Sequence, residues 1–422
     1  MTQPANPPPV PRAPFGGRGP GYAEFVFLMA ALMSLNAFAI DAMLPALPAI
    51  GEALDVAEDN RRQLVVTAYL LGFGLTQMLW GPLSDRYGRR PVLVTGLLLY
   101  AGFGLLAAVA ASFPLLLGAR MLQGGAAAAT RVLVVSMVRD RFQGAIMARV
   151  MSMTFVVFML VPVLAPSVGQ AILLFASWRA IFWALALWGV AMLAWSWLRL
   201  PETLDPANRR AISVATIAGA TGEALRNRVS LGYTLAVMLL MGGLMGYINS
   251  VQQIVADVFR RPDLLALVFA AVAVPMAAAS YTNARLVERV GVRRMAQGGL
   301  AAVTAICALH LAIAATVGET LVVFIVLQGL TMACFGLATS NMGAIAMGPM
   351  GHIAGTASSV QGTIQTIGAA LLGAMVGQSF NGTTLPLLGG FLLFALLASA
   401  ALWWAERGVM FTRDAGAKAA SL

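Results

Sequence analysis

The sequence predicts an all-α integral membrane protein, with twelve transmembrane helices in two pseudo-symmetric six-helix bundles. Three observations carry that expectation. Of 422 residues, 59% are hydrophobic and only 10% charged, whereas soluble chains carry about a quarter charged residues. The charges fall in short clusters between apolar runs, each close to the ~20 residues that one helical crossing needs. A polar, Arg-rich break interrupts the chain near its middle, and one loop motif recurs on both sides of it.

Taken in order, residues 1–21 are rich in Pro and Gly and read as a disordered tail. The apolar segment after them is of full span length and has no small-residue cleavage site, which argues against a secretion signal. The first span covers about 22–46 and the fourth about 113–136. Charge-free runs at 63–84, 91–119, 150–178, 180–198, 229–256, 264–284 and 295–318 supply spans 2, 3 and 5 to 9. The run 320–405 has no Asp, Glu, Lys or Arg and is long enough for three helices, divided at Met347–Gly355 and Gly377–Pro386. The domains expected are a first bundle over 22–200, a linker over 201–229, a second bundle over 230–405 and a tail over 406–422.

A net charge of +10 invites comparison with nucleic-acid binders, but the distribution argues against one. Of 27 basic residues, only Lys418 is a lysine, and no basic run is interleaved with aromatics. Placing both tails, the central linker and alternate loops on one side collects 20 Lys/Arg there. It leaves only Arg61, Arg62, Arg179, Arg260 and Arg261 in the opposite loops. Basic residues accumulate on the cytoplasmic side, so both termini are expected in the cytoplasm. Cys307 and Cys334 lie inside apolar stretches and suit neither a disulfide framework nor a metal knuckle. No phosphate loop surrounds Lys418, and no catalytic cluster stands out. An enzyme is not expected, nor a metal or other cofactor.

The loop after span 2 reads Gly81-Pro-Leu-Ser-Asp85-Arg86-Tyr-Gly88-Arg89-Arg90. The loop after span 8 reads Glu288-Arg289-Val-Gly291-Val-Arg293-Arg294, an offset of 203 between the two acids. Homologous halves explain the repeat: glycine permits the tight turn, and the acid faces the positive N-terminus of the next helix. The first copy closely resembles the G-x-L-x-D-R-x-G-R-R loop of the major facilitator superfamily. The resemblance implies a gate-locking role for Asp85, Arg86, Gly88 and Arg90, with Gly81 opening the motif and Glu288, Arg289 and Gly291 in the second copy.

Further segments narrow the resemblance. They are Asp41-Ala-Met-Leu-Pro45 in span 1, Arg120-Met-Leu-Gln123-Gly124-Gly125 in span 4, Ser177-Trp178-Arg179 before span 6, Leu200-Pro201-Glu202-Thr203 after it, and His352-Ile-Ala-Gly355 before span 11. Together they are similar to the twelve-span drug:proton antiporters, nearest the Bcr/CflA-like multidrug efflux group. Span 5 departs from that group's G-P followed by G-G and reads Ala165-Pro166-Ser-Val-Gly169. Pro166 and Gly169 would still allow a kink.

An ionised group at helix centre costs about 2.5 to 3.5 kcal/mol, which makes Asp41 and Arg120 the principal proton-coupling candidates. Asp41 would exchange the proton, with Arg120 or a cationic drug competing for its charge. Arg131 lies nearer the inner end of span 4, from which it could snorkel to the interface. Polar candidates for the substrate cavity are Asn36, Gln123, Tyr247, Asn249, Gln252, Gln328, Asn341, Gln361 and Gln365, with Tyr69 beside them. Each could instead be interhelical glue worth ~0.6 kcal/mol, and His310 reads as a satisfied packing group. The function expected is export of small amphipathic drugs in exchange for protons, by a monomer in the bacterial inner membrane, driven by the proton gradient. The alternatives are a proton-coupled carrier of a sugar or other metabolite and, remotely, a membrane enzyme or receptor.

Overall fold

The computed structural model describes residues 19–142, 144–209 and 214–411. Most of the two expected tails, Lys418 included, lies outside them. Twelve long helices follow one another: α1 Tyr22–Asp41, α2 Leu64–Tyr87, α3 Arg89–Ala108, α4 Phe113–Arg141, α5 Gly144–Leu173, α6 Arg179–Arg199, α7 Arg228–Gln253, α8 Leu265–Val290, α9 Val292–Thr316, α10 Leu321–Met347, α11 Ala354–Gln378 and α12 Leu385–Ala405. Eleven helical segments among the described residues meet the length and hydropathy of a membrane crossing, and the 30-residue α5 supplies the twelfth. A short helix, Leu47–Ala53, follows α1, and another, Val214–Arg226, lies in the linker. The chain is an all-helical, multi-pass membrane protein.

Local chemistry sets the ends. Ser112, Asn227 and Thr320 accept from the backbone N–H three residues on and so cap α4, α7 and α10. Gly88 and Gly291 stand between α2 and α3 and between α8 and α9 with φ of 103° and 90°, a region L-residues avoid. Hence both copies of the loop motif keep a glycine there.

Small residues bring the helices together, as membrane bundles require. A Cβ at Gly124 would collide with the Tyr69 carbonyl, and one at Gly72 with the Met121 carbonyl, so α2 and α4 meet backbone to backbone. Gly373 of α11 fits equally closely against Met245 and Gly246 of α7. Gly72, Gly74 and Gly104 likewise abut neighbours, while a Cβ at Gly102 would meet nothing within 4 Å.

The two sets of six helices touch chiefly through α2 with α11 and α5 with α8. Adding six to each number exchanges the two pairs, which is the pseudo-two-fold expected of repeated halves. The near face is the side on which α1 begins and α12 ends; the far face lies opposite.

Candidate functional site

Three layers of polar groups run through the fold. In the middle of the first half, Arg120 is fully buried. Its Nη2 donates to the Ala39 carbonyl at 2.7 Å, its Nη1 to Gln123 Oε1 at 2.7 Å and its Nε to the Val65 carbonyl at 3.4 Å. The guanidinium lies 4.4 Å from the Tyr69 ring centroid and 5.6 Å from that of Phe182. The Tyr69 hydroxyl donates to Asn36 Oδ1 at 3.1 Å, and Asn36 donates to Thr130 Oγ1 at 3.1 Å. These bonds tie α1, α2 and α4 together.

Asp41 is not part of this wiring. It is 3% exposed, and its Oδ1 has no hydrogen-bond partner among the described residues. It lies within electrostatic reach of Tyr247 in the second half, whose hydroxyl is likewise buried without a partner. The structure therefore does not pair Asp41 with Arg120. It seats the arginine on the carbonyl of Ala39, two residues before the acid.

In the second half, Gln361 donates to Ser230 Oγ at 2.9 Å and to the Ala346 carbonyl at 3.1 Å. Asn341 donates to Asn283 Oδ1 and the Leu337 carbonyl, both at 2.7 Å. Gln328 and Asn249 are buried, each with one amide atom unpaired among the described residues. Gln365 is half-buried in α11. Gln252 lines a far-face recess of about 280 Å³ with Pro45, Pro48, Gln170 and Asp263. Of the nine cavity candidates, Asn36, Asn341 and Gln361 hold helices together, whereas Gln123 bonds Arg120 within α4 and leaves its amide nitrogen unpaired among the described residues. His310 is satisfied, at 2.7 Å from Glu319 Oε2.

The far face is closed by neutral amides that cross between the halves. Asn60 Nδ2 donates to the carbonyls of Gln378 at 3.1 Å and Phe380 at 2.9 Å. Gln378 returns a bond to the Asn60 carbonyl at 2.6 Å, and Gln253 donates to Asn60 Oδ1 at 2.9 Å. Gln63 bonds Gln253 directly. Gln170 of α5 adds a longer contact to the Pro262 carbonyl. Behind this closure, Gly169 lets α5 press on the Ala42 carbonyl beside Asp41. Pro166 and Gly169 both lie inside the unbroken helix α5.

The near face carries the loop motif, and its hub is Arg89. Sequence reading passed over this residue in favour of Arg86 and Arg90. Arg89 is 3% exposed; its Nη1 reaches Ser84 Oγ at 2.7 Å and pairs with Asp85, and its Nε pairs with Asp140 at 3.0 Å. Glu202 accepts from the backbone N–H groups of Arg89 and Arg90 at 2.9 and 3.2 Å, the expected use of a carboxylate at a helix N-terminus. Arg90 donates to the Trp197 carbonyl at 2.5 Å, while Arg86 stacks on Tyr87. A Cβ at Gly81 would meet only Val132, at 3.9 Å.

In the second copy Arg289 is exposed, and the side chain of Glu288 lies outside the described residues, as does that of His352. There Arg293 pairs with Glu406, which also accepts from the Tyr233 hydroxyl at 2.7 Å. Each half thus ends its sixth helix with a carboxylate, Glu202 or Glu406, that reaches back to the loop after its second. The signal was in the sequence as a 204-residue offset between two acids.

A profile of the Major Facilitator Superfamily matches residues 26–373, most of the chain. The chain belongs to the major facilitator superfamily. Among relatives of this superfamily member is the bicyclomycin resistance protein homolog of Haemophilus influenzae, 29% identical over 388 residues, covering 89% of this chain and 94% of the relative. Another is the multidrug resistance protein MdtL of Escherichia coli O9:H4 strain HS, 28% identical over 366 residues, covering 84% and 89%. These relatives support the resemblance to the Bcr/CflA-like group. The xylose transporter XylE from E. coli, in a partially occluded inward open conformation, shares the fold at TM-score 0.69 and 14% identity, over 90% of this chain and 97% of that one. As a superfamily member the protein is a transporter and not an enzyme.

Proposed function

We propose that the protein exports small amphipathic compounds from the bacterial cytoplasm across the inner membrane, in exchange for protons, by alternating access. The near face, with 20 Lys/Arg against five in the far-face loops, is cytoplasmic on this reading. The drug-resistance names of two relatives support the substrate class.

The observation that carries proton coupling is Asp41. Its carboxyl is buried directly beneath a closed far face, beside the other half, without a partner for Oδ1. An ionised carboxylate buried alone costs several kcal/mol, so a far face that shuts over Asp41 discriminates between its two protonation states. Arg120 holds the end of α1 through Ala39 and so fixes where that carboxyl sits. Export against a gradient would then draw on proton occupancy of one residue.

The test is drug accumulation in an efflux-deficient host, with and without an uncoupler. Asp41→Asn should abolish uncoupler-sensitive export at unchanged membrane expression. Export by this variant at the wild-type rate would refute the assignment.

A further inference from the structure

Arg131 is an intramembrane cation that the coupling reading does not use. It lies on α4 ten residues before Arg141, where the helix ends, about 15 Å along the axis at ~1.5 Å per residue. The side chain is exposed, and the periodicity of α4 says to what. In the far half of that helix the exposed strip is Leu115, Gly118, Met121 and Leu122, which is the lipid side. Arg131 comes nine residues after Leu122, about 900° at ~100° per residue, and so points the opposite way. Val135 and Arg139 follow on its own side, both exposed.

That side looks at the second half. Arg139 Nη1 lies 3.8 Å from where a Cβ of Gly355 on α11 would stand. Arg131 Cζ is 6.0 Å from the ring centroid of Phe73 on α2, and Gly74, next in the chain, abuts Ile367 of α11. Arg131 therefore faces the space between the halves, with Arg139 on the same strip two turns closer to the near face.

Among the described residues no carboxylate forms an ion pair with it. Helices α5, α7, α10 and α11 contain no Asp or Glu, α2 and α4 have acids only at Asp85 and Asp140, and Arg89 pairs with both. On α1, Glu24 is taken by Arg199, and Asp41 lies at the far end. A cation between apolar helices with no counter-charge is costly unless something brings one.

We propose that Arg131 is the anion-recognising group of the substrate site, and that the exported compounds include amphipathic organic anions, carboxylates or sulfonates, drawn in along the Arg139–Arg131 strip. Guanidinium suits this task because its planar donor fork matches the oxygens of such groups. The inference rests on the export reading for its direction but not for its test, which is binding.

Fluorescein and rhodamine 6G share a xanthene core and differ in charge. Their affinities are to be measured by anisotropy on the purified full-length protein in zwitterionic-lipid nanodiscs. Arg131→Gln should weaken fluorescein about tenfold or more, the equivalent of one charge-assisted bond, and leave rhodamine 6G within about twofold. Arg131→Lys should fall between wild type and Arg131→Gln for fluorescein. Equal weakening of both dyes would show a structural role and overturn the proposal, as would fluorescein binding that is absent in wild type or unchanged in Arg131→Gln. If added anionic phospholipid abolishes fluorescein binding in wild type, the site belongs to a lipid headgroup, and the substrate assignment falls. Uncoupler-sensitive export is scored separately, so its failure leaves these outcomes decisive.

Discussion

The two faces of the molecule are held by different chemistry. On the far face the bonds cross between the halves and are neutral: Asn60 and Gln63 against Gln253, Gln378 and the Phe380 carbonyl. On the near face the ion pairs of Arg89, Arg199 and Arg293 each join residues of one half. A neutral amide bond contributes only about 0.5–1.5 kcal/mol net, so a few of them make a closure that can be undone. The pairs centred on the buried Arg89 are costlier to break from one side. The contrast separates what must move from what must not: charges stiffen each bundle, and amides join the bundles reversibly.

The harshest test of that division is Arg89→Ala. It leaves Asp140 and the partly exposed Asp85 without their shared cation; breaking a fully buried pair from one side costs about 3–5 kcal/mol, and solvent at Asp85 puts the loss toward or below the lower end of that range. A large loss of thermal stability in detergent should follow, with little folded protein recovered. Arg86→Ala, in the same motif but engaged chiefly in stacking on Tyr87, should change stability by less than about 0.5 kcal/mol. Equal effects from the two would dissolve the distinction between hub and periphery.

A smaller effect, of a different kind, is expected at the far face. Gln63→Ala and Gln253→Ala should leave thermal stability nearly unchanged yet shift the protein toward far-face opening. A double-mutant cycle should give a coupling near 1 kcal/mol. Spin labels at Glu58 and Asn381, in a background with Cys307→Ser and Cys334→Ser, would read the opening as a longer distance by pulsed electron resonance. Neutral bonds are not screened, so the wild-type distance should not respond to salt. Opening on added salt would mean that charges such as Asp59 and Arg62 carry the closure instead.

The same contrast explains what could be read without a structure. Charge is sparse in this chain, so each charged cluster marked a helix end, and twelve helices with two matching loops followed from spacing alone. The near-face network was half legible: Asp85 and the glycines stood out as motif, but the choice among Arg86, Arg89 and Arg90 depends on which of them turns inward, and all three look alike in sequence. The far face was illegible. Asn60, Gln63, Gln253 and Gln378 sit at helix ends where amides are ordinary, and nothing in one half announces its partner some 190 to 320 residues away. Asp41 and Arg120 are both buried, yet that the arginine bonds the Ala39 carbonyl and not the acid depends on how α1 and α4 face each other, which composition does not encode.

Gly81 offers the finest discrimination. The motif asks for glycine there, but in this structure an added Cβ meets only Val132 at 3.9 Å, an ordinary contact. Gly81→Ala should therefore leave thermal stability within about 0.5 kcal/mol of wild type, or raise it slightly by improving helix propensity within α2. If drug export nonetheless falls, the glycine is needed where the near face closes and α2 meets a neighbour that it does not touch here. Unchanged export would mean that the motif's first glycine serves neither state, and that the reversible part of the machine resides in the far-face amides.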